Sequence, residues 1–185
     1  MATAYEALND KLTEFIKRQH MFFTASAAQT SRVNISPRST ECLRVIDTNT
    51  VVYLDRTGSG NETAAHLRAD GRMTILFCAM EGAPHILRLY GRGTILHRES
   101  DAYAEILKTW YGNEAPLGAR QVVRLDFDLA KTSCGFGVPV FEYVEDRDTL
   151  QKWAENKGEA GVADYWRQEN QESMDGLPTG IFDPS

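Results

Sequence analysis

Much of the chain between residues 21 and 144 is cut into short runs with a two-residue or continuously apolar pattern, each ended by turn-forming residues. Residues 21–27, 32–36, 51–55, 73–79, 85–97, 121–129 and 136–144 read as strands on this basis. Ala28-Gln29-Thr30-Ser31 and Glu81-Gly82-Ala83-Pro84 supply turns that make antiparallel neighbours of the runs they join. Gly91 and Gly93 inside the longest run predict a bulge or a sharp bend, as a small barrel needs at its corners. Six or more such short strands with a few helices between them predict a mainly β (α+β) fold class: an antiparallel six-stranded barrel with peripheral helices.

Helical spacing appears around this β region. Thr3 and Glu6 have capping-box spacing, and Tyr5, Leu8, Leu12, Phe15 and Ile16 recur every three or four residues, which predicts an N-terminal helix within residues 1–20. Asn61 is placed to cap a short helix through Ala64, Ala65 and Leu67 that stops at Gly71, and Ser100 to cap one carrying Tyr103, Ile106, Leu107 and Trp110. Leu150, Trp153 and Ala154, then Tyr165 and Trp166, mark two short helices, and residues 173–185 are Gly/Pro-rich and expected to be irregular. With 185 residues and 42% hydrophobic content, the chain suits one domain: residues 1–20 a helix, 21–144 the barrel, 145–185 C-terminal helices and tail.

Composition excludes several functions. Twenty Lys and Arg against 26 Asp and Glu give a net charge of −6, the opposite of a nucleic-acid footprint. The uncharged apolar run 73–80 is too short to span a bilayer, so neither nucleic acid nor membrane is an expected partner. Glu6, Asp10 and Glu14 stand where an export signal needs apolar residues, and the expected location is the cytoplasm. Cys42, Cys78 and Cys134 form no CxxC and read as reduced, buried, inert thiols. His20, His66, His85 and His97 lack any metal-ligand spacing, so no metal is expected. There is no GxSxG elbow and no GxxxxGK[ST] loop. Gly58-Ser59-Gly60 opens like a dinucleotide fingerprint, but Thr63 replaces the third glycine and no βαβ unit follows.

Two segments retain chemical interest. Thr57-Gly58-Ser59-Gly60-Asn61-Glu62-Thr63 leaves a strand and opens a helix, combining close backbone approach, hydroxyl donors and a positive helix end, as an anion site does. The same residues also read as an ordinary strand-to-helix turn. In Arg32-Val33-Asn34-Ile35-Ser36-Pro37-Arg38 the residues Arg32, Asn34 and Ser36 share one polar face, while Pro37 is expected to end the ladder and free Arg38 to reach an anion. That strand either faces water or lines a polar ligand.

Together these segments resemble the FMN-binding split-barrel family related to pyridoxamine 5′-phosphate oxidase. The resemblance runs over residues 22–98, through FFTASA, RVNISPR, VVYLDRTGSGNETAAHL and TILFCAMEGAPHILRLYGRG. Cys134-Gly135-Phe136-Gly137-Val138-Pro139 also resembles a motif of one branch of that family. The resemblance implies a split barrel, a homodimer with FMN at the subunit interface, and a small-molecule substrate or electron donor. It implies cofactor contacts from Arg32, Asn34, Ser36, Pro37, Arg38, Asp55, Thr57, Gly58, Ser59, Gly60, Asn61 and Thr63, with Arg38 as the main cation on the phosphate. Phe136 is expected to close the partner's flavin site; the alternative for its segment is the start of a strand with a buried Phe. The oxidase's Ser-Arg-Lys phosphate grip reads Asn61-Glu62-Thr63 here, and its basic, aromatic C-terminal motif is not visible in residues 141–185. The implied function is therefore an FMN-dependent oxidoreductase other than vitamin B6 oxidation. The alternatives are a non-catalytic flavin or haem carrier on the same barrel, or a structural dimer with an empty site.

Overall fold

A computed structural model describes residues 2–183. Its strands are β1 (Thr3–Tyr5), β2 (Met21–Ser26), β3 (Asn34–Ser39), β4 (Leu43–Val45), β5 (Thr50–Arg56), β6 (Arg72–Cys78), β7 (His85–His97) and β8 (Ala119–Cys134). Helices are α1 (Asp10–Lys17), α2 (Glu62–Ala69), α3 (Asp101–Trp110) and α4 (Thr149–Glu169). All pairings are antiparallel, in the order β3-β2-β6-β7-β8-β5-β4, with β1 added to β8. The result is a curled half-barrel whose edges are β3 and β4, an α+β split-barrel architecture.

Alternation decides which side of each strand is apolar. On β8, Val123, Leu125 and Phe127 enter the main core with Phe22, Tyr53, Ile75, Phe77, Leu87 and Leu89. Val122 points the other way, into a second cluster with Val52, Leu54 and Tyr103 under α3. β5 is covered on both faces, which explains its unbroken apolar run. Between Tyr90 and Gly91 the β7–β8 register shifts. A Cβ on Gly91 would lie 2.1 Å from the Asp126 carbonyl oxygen, so only glycine fits the expected bulge. At Gly93 a Cβ would meet Leu67 Cδ1 at 2.7 Å, so this second glycine is the seat on which α2 docks.

Several sequence-based expectations are corrected. Thr3 does not cap a helix: Thr3–Tyr5 pairs with β8, and α1 starts after Asn9, whose side chain accepts from the Leu12 amide. Residues 136–144 form no strand, because β7 begins at His85 opposite Cys134 and offers no further partner. Pro37 does not end the ladder. It sits within β3 opposite Phe23, and because β3 is an edge strand its missing N–H is tolerated. The three-residue strands β1 and β4 were too short to read, so the sheet has seven strands in a row plus β1 rather than six. Cys134 is exposed rather than buried. The two expected C-terminal helices are present, separated by a break at Gly158 where φ is 68°. Met1 of the expected N-terminal helix and Pro184 and Ser185 of the expected irregular tail lie outside the described residues. No helix among the described residues is long and apolar enough to cross a membrane.

Gly91→Ala should destabilise the protein by at least about 2 kcal/mol, read as a drop in urea midpoint, because backbone rather than a pliable side chain occupies the space. Gly82→Ala is the control: with no atom within 4 Å, only its positive φ is at stake, at about 1 kcal/mol. Equal losses at the two positions would show that the bulge is not sterically fixed.

Candidate functional site

The polar face of β3 and the loop joining β5 to α2 come together on one cavity of about 1200 Å³. Asn34, Ser36, Pro37, Arg38, Thr57, Gly58, Ser59, Gly60 and Thr63 all line it. Asn34 Nδ2 donates to Thr63 Oγ1 at 3.2 Å, which ties the polar strand directly to the first turn of α2. Asp55 and Asn61 are buried at 1% and 2% exposure and lie behind the lining. Arg32 lies outside the cavity and pairs with Asp175, and Phe136 is also outside it, exposed.

Asp55 organises the floor. The β5–β8 register shifts between Asp55 and Arg56, where Gln121 faces Asp55 and Ala119 faces Arg56, leaving Arg120 as the extra residue of a bulge. A bulge breaks the alternation that would send consecutive side chains to opposite faces. Arg120 Nε and Gln121 Nε2 both reach Asp55 Oδ2, at 2.7 and 2.8 Å. Arg38 Nη1 takes the other carboxylate oxygen at 2.6 Å. Burial alone would raise the Asp55 pKa, but the Arg120 and Arg38 charges outweigh it and hold the carboxyl below its ordinary value. Arg38 is therefore not the free cation expected from sequence. It is ion-paired, and its guanidinium carbon lies 4.7 Å from the Tyr53 ring centroid. Its Nε nonetheless has no partner, and the same is true of Nε of Arg56. Arg56, which the sequence reading passed over, lines the cavity beside Thr57 and gives Nη2 to Gln151 at 2.7 Å.

The loop is held from its inner side. Thr57 Oγ1 donates to the Gly118 carbonyl and accepts from Trp166 Nε1, both at 2.7 Å. Arg120 Nη1 donates to the Gly60 carbonyl at 2.9 Å, and Asn170 Nδ2 to the Gly58 carbonyl at 3.1 Å. Glu62 accepts from the Met174 amide. Asn61 precedes α2 as expected but makes no side-chain cap, because its Oδ1 accepts from Gln121 instead. The sequence reading missed Arg120, Gln121, Trp166 and Asn170. The first two offered one signal, an Arg-Gln pair directly before the apolar Val122 and Val123; the last two offered none.

The family match covers residues 8–134 and is to the pyridoxamine 5′-phosphate oxidases. The chain belongs to this family. It is 37% identical to the pyridoxamine 5′-phosphate oxidase family protein ustO of Aspergillus flavus, over 96% of this chain and 78% of that protein. Among solved structures it resembles HupZ of Group A Streptococcus, with a TM-score of 0.55 at 20% identity, over 68% of this chain and 98% of that one. A Lactobacillus delbrueckii protein, provisionally described as a pyridoxamine 5′-phosphate oxidase, gives a TM-score of 0.53 at 13% identity, over 68% and 94%. At these identities the two structures share the fold.

Within this pyridoxamine 5′-phosphate oxidase family domain, the described residues include no group of three or more His, Cys, Asp and Glu able to hold a metal. His66 is a buried core histidine whose Nδ1 lies 3.1 Å from Ser26 Oγ. Cys42 lines the cavity, but burial pushes its thiol pKa up to about 12, so it stays neutral at pH 7. The family match ends at residue 134, and α4 and the tail that brace the loop lie beyond it.

Asp55→Asn should cost about 3–5 kcal/mol, because it leaves the Arg38 and Arg120 charges buried without their counterion. Since the folded pKa of Asp55 is depressed, its stabilisation is present above the unfolded value of about 3.9 and fades as pH falls through the folded one. Denaturant midpoints between pH 2 and 6 should therefore fall less steeply with acid in the variant. Parallel acid limbs would show that Asp55 does not carry the linkage.

Proposed function

We propose that this protein binds FMN and acts as an FMN-dependent oxidoreductase on a small molecule. The observation that carries the reading is the pair of buried, unpartnered Nε atoms of Arg38 and Arg56, two residues that line the same cavity as the 57–60 loop. A buried donor without an acceptor is costly, and a phosphate oxygen satisfies it with a charge-assisted hydrogen bond. Ser59 and the first turn of α2 add donors and a positive helix end to the same wall. Membership of the pyridoxamine 5′-phosphate oxidase family supports the flavin identity. These residues fit the 5′-phosphate of FMN, with Arg56 and Arg38 on the anion and Asn34 and Ser36 facing the rest of the molecule.

Bound flavin supplies the hydride chemistry itself. The protein's part is binding and orientation. Cys42 remains a neutral thiol, and the buried Tyr53 hydroxyl is likewise pushed up and stays protonated. Neither acts as a base at pH 7.

In the same reading a second copy completes the site. Val33 and Ile35, at and beside edge strand β3, are 69% and 64% exposed, and Phe136 is 84% exposed. Exposed apolar surface on and beside an edge strand is the kind that a homodimer covers. Sedimentation should give a dimer at micromolar concentration, and Val33→Asp with Ile35→Asp should shift it toward monomer. A wild-type monomer with flavin bound removes the shared-site reading.

Titration with FMN and riboflavin tests the phosphate assignment. FMN should bind the wild type at least about tenfold tighter than riboflavin, and Arg56→Ala should cost FMN about 10- to 150-fold while riboflavin changes little. Arg38→Ala should weaken FMN and also lower the melting temperature, since it strips Asp55 of a partner. Equal binding of the two ligands by the wild type overturns the assignment. Bleaching of the flavin band near ~450 nm by NADH or NADPH under anaerobic conditions distinguishes an enzyme from a carrier. A Soret band near ~400 nm in place of it points to haem.

A further inference from the structure

The carbonyl of one residue and the N–H of the next belong to a single planar peptide unit, and in the trans form they point in opposite directions. No peptide bond of the described residues is cis. Asn170 Nδ2 draws the Gly58 carbonyl inward, so the Ser59 N–H is turned outward, and Ser59 lines the cavity. Arg120 Nη1 draws the Gly60 carbonyl inward and turns the Asn61 N–H the other way. Neither amide donates to any protein group among the described residues. Asn170 also accepts from Arg120 Nη1 through Oδ1 at 2.8 Å, so one carboxamide fixes both carbonyl anchors. It is itself fully buried, and its backbone carbonyl accepts from Thr179 Oγ1 at 2.6 Å.

We propose that Asn170 is a positioning residue for the phosphate loop. By holding the Gly58 carbonyl it turns the Ser59 N–H toward the ligand, and by holding the Arg120 guanidinium it fixes the Gly60 carbonyl, a task given to a segment beyond the matched family domain. This rests on the phosphate reading for what the aimed amides bind, but not for the aiming itself. The loop runs into α2 through Glu62, an acid rather than a cation, and Glu62 is occupied by the Met174 amide. Backbone amides held in a fixed direction are then a main source of donors on that wall.

Hydrogen exchange of the ligand-free protein, read on peptides spanning residues 56–63 and 150–166, tests the aiming. In Asn170→Ala the loop peptide should exchange about tenfold faster while the α4 peptide keeps its protection. Unchanged loop exchange overturns the proposal. So does equal loss in both peptides, which would make Asn170 a packing residue of α4. If Asn170→Ala does not fold, Asn170→Asp keeps the acceptor for Arg120 and removes the donor to Gly58, and the same comparison decides. In FMN and riboflavin titrations of the variant, FMN should lose about tenfold and riboflavin less than about twofold. Parallel losses overturn the proposal. A wild type that binds both ligands equally overturns the phosphate reading instead, and the exchange result still decides what Asn170 does to the loop.

Discussion

The Asp55 carboxylate is the constraint around which the rest of the site is arranged. A carboxylate at 1% exposure is tenable only if each oxygen is answered by charge and hydrogen bonds. Here one oxygen meets Arg38 from edge strand β3, and the other meets Arg120 and Gln121 from β8. These contacts tie together strands far apart in the sheet order, across the concave side of an open half-barrel. The bulge at Arg120 is what makes this possible, because without the extra residue Arg120 and Gln121 would face opposite sides.

From that floor the order extends to the loop. Arg120 shares its guanidinium between Asp55, the Gly60 carbonyl and Asn170. The conformation of the loop is thus set by a buried ion pair on one side and by α4 on the other. Trp166 and Thr57 reinforce the second contact, and Ala154, Val162 and Trp166 give α4 its small apolar seat. The C-terminal segment is as much part of the site as the strands that line it.

Much of this was legible in the residues. Alternation gave the β architecture, Gly91 gave the bulge, and residues 34–38 with the 57–63 loop meet on one cavity. What was not legible has physical reasons. Local spacing cannot show that Pro37 lies on an edge strand, where a missing N–H is harmless, so the ladder was expected to stop and Arg38 to be free. Spacing also cannot show a register shift in a distant strand, and that shift makes Arg120 and Gln121 neighbours of Asp55. Asn170 sits at the end of a charged helix, where an asparagine is ordinary; its burial becomes apparent only once α4 packs behind the loop. Residues 136–144 have apolar strand-like composition, but the sheet has no open edge beside Cys134 to receive them.

The charge around the cavity argues in the same direction as the geometry. The protein as a whole carries −6, yet Arg38, Arg56 and Arg120 all line the cavity. Asp55 is the buried carboxylate that answers two of them, while Glu62 is engaged with a backbone amide. An acidic chain has no general reason to concentrate guanidinium groups in a half-buried place, where desolvation opposes each added charge. The lining as a whole is not positive, since Glu41, Glu81, Glu142, Glu145 and Asp146 share it with Arg18 and Arg147; what is particular to Arg38 and Arg56 is their unpartnered Nε donors, which on the proposed reading an anion's oxygens answer. A dianionic phosphate group meets both requirements, charge and acceptors, at one point. On the proposed reading a neutral ligand meets neither, so Arg38 and Arg56 would favour a phosphorylated cofactor over its dephosphorylated form before any contact to the rest of the molecule is considered.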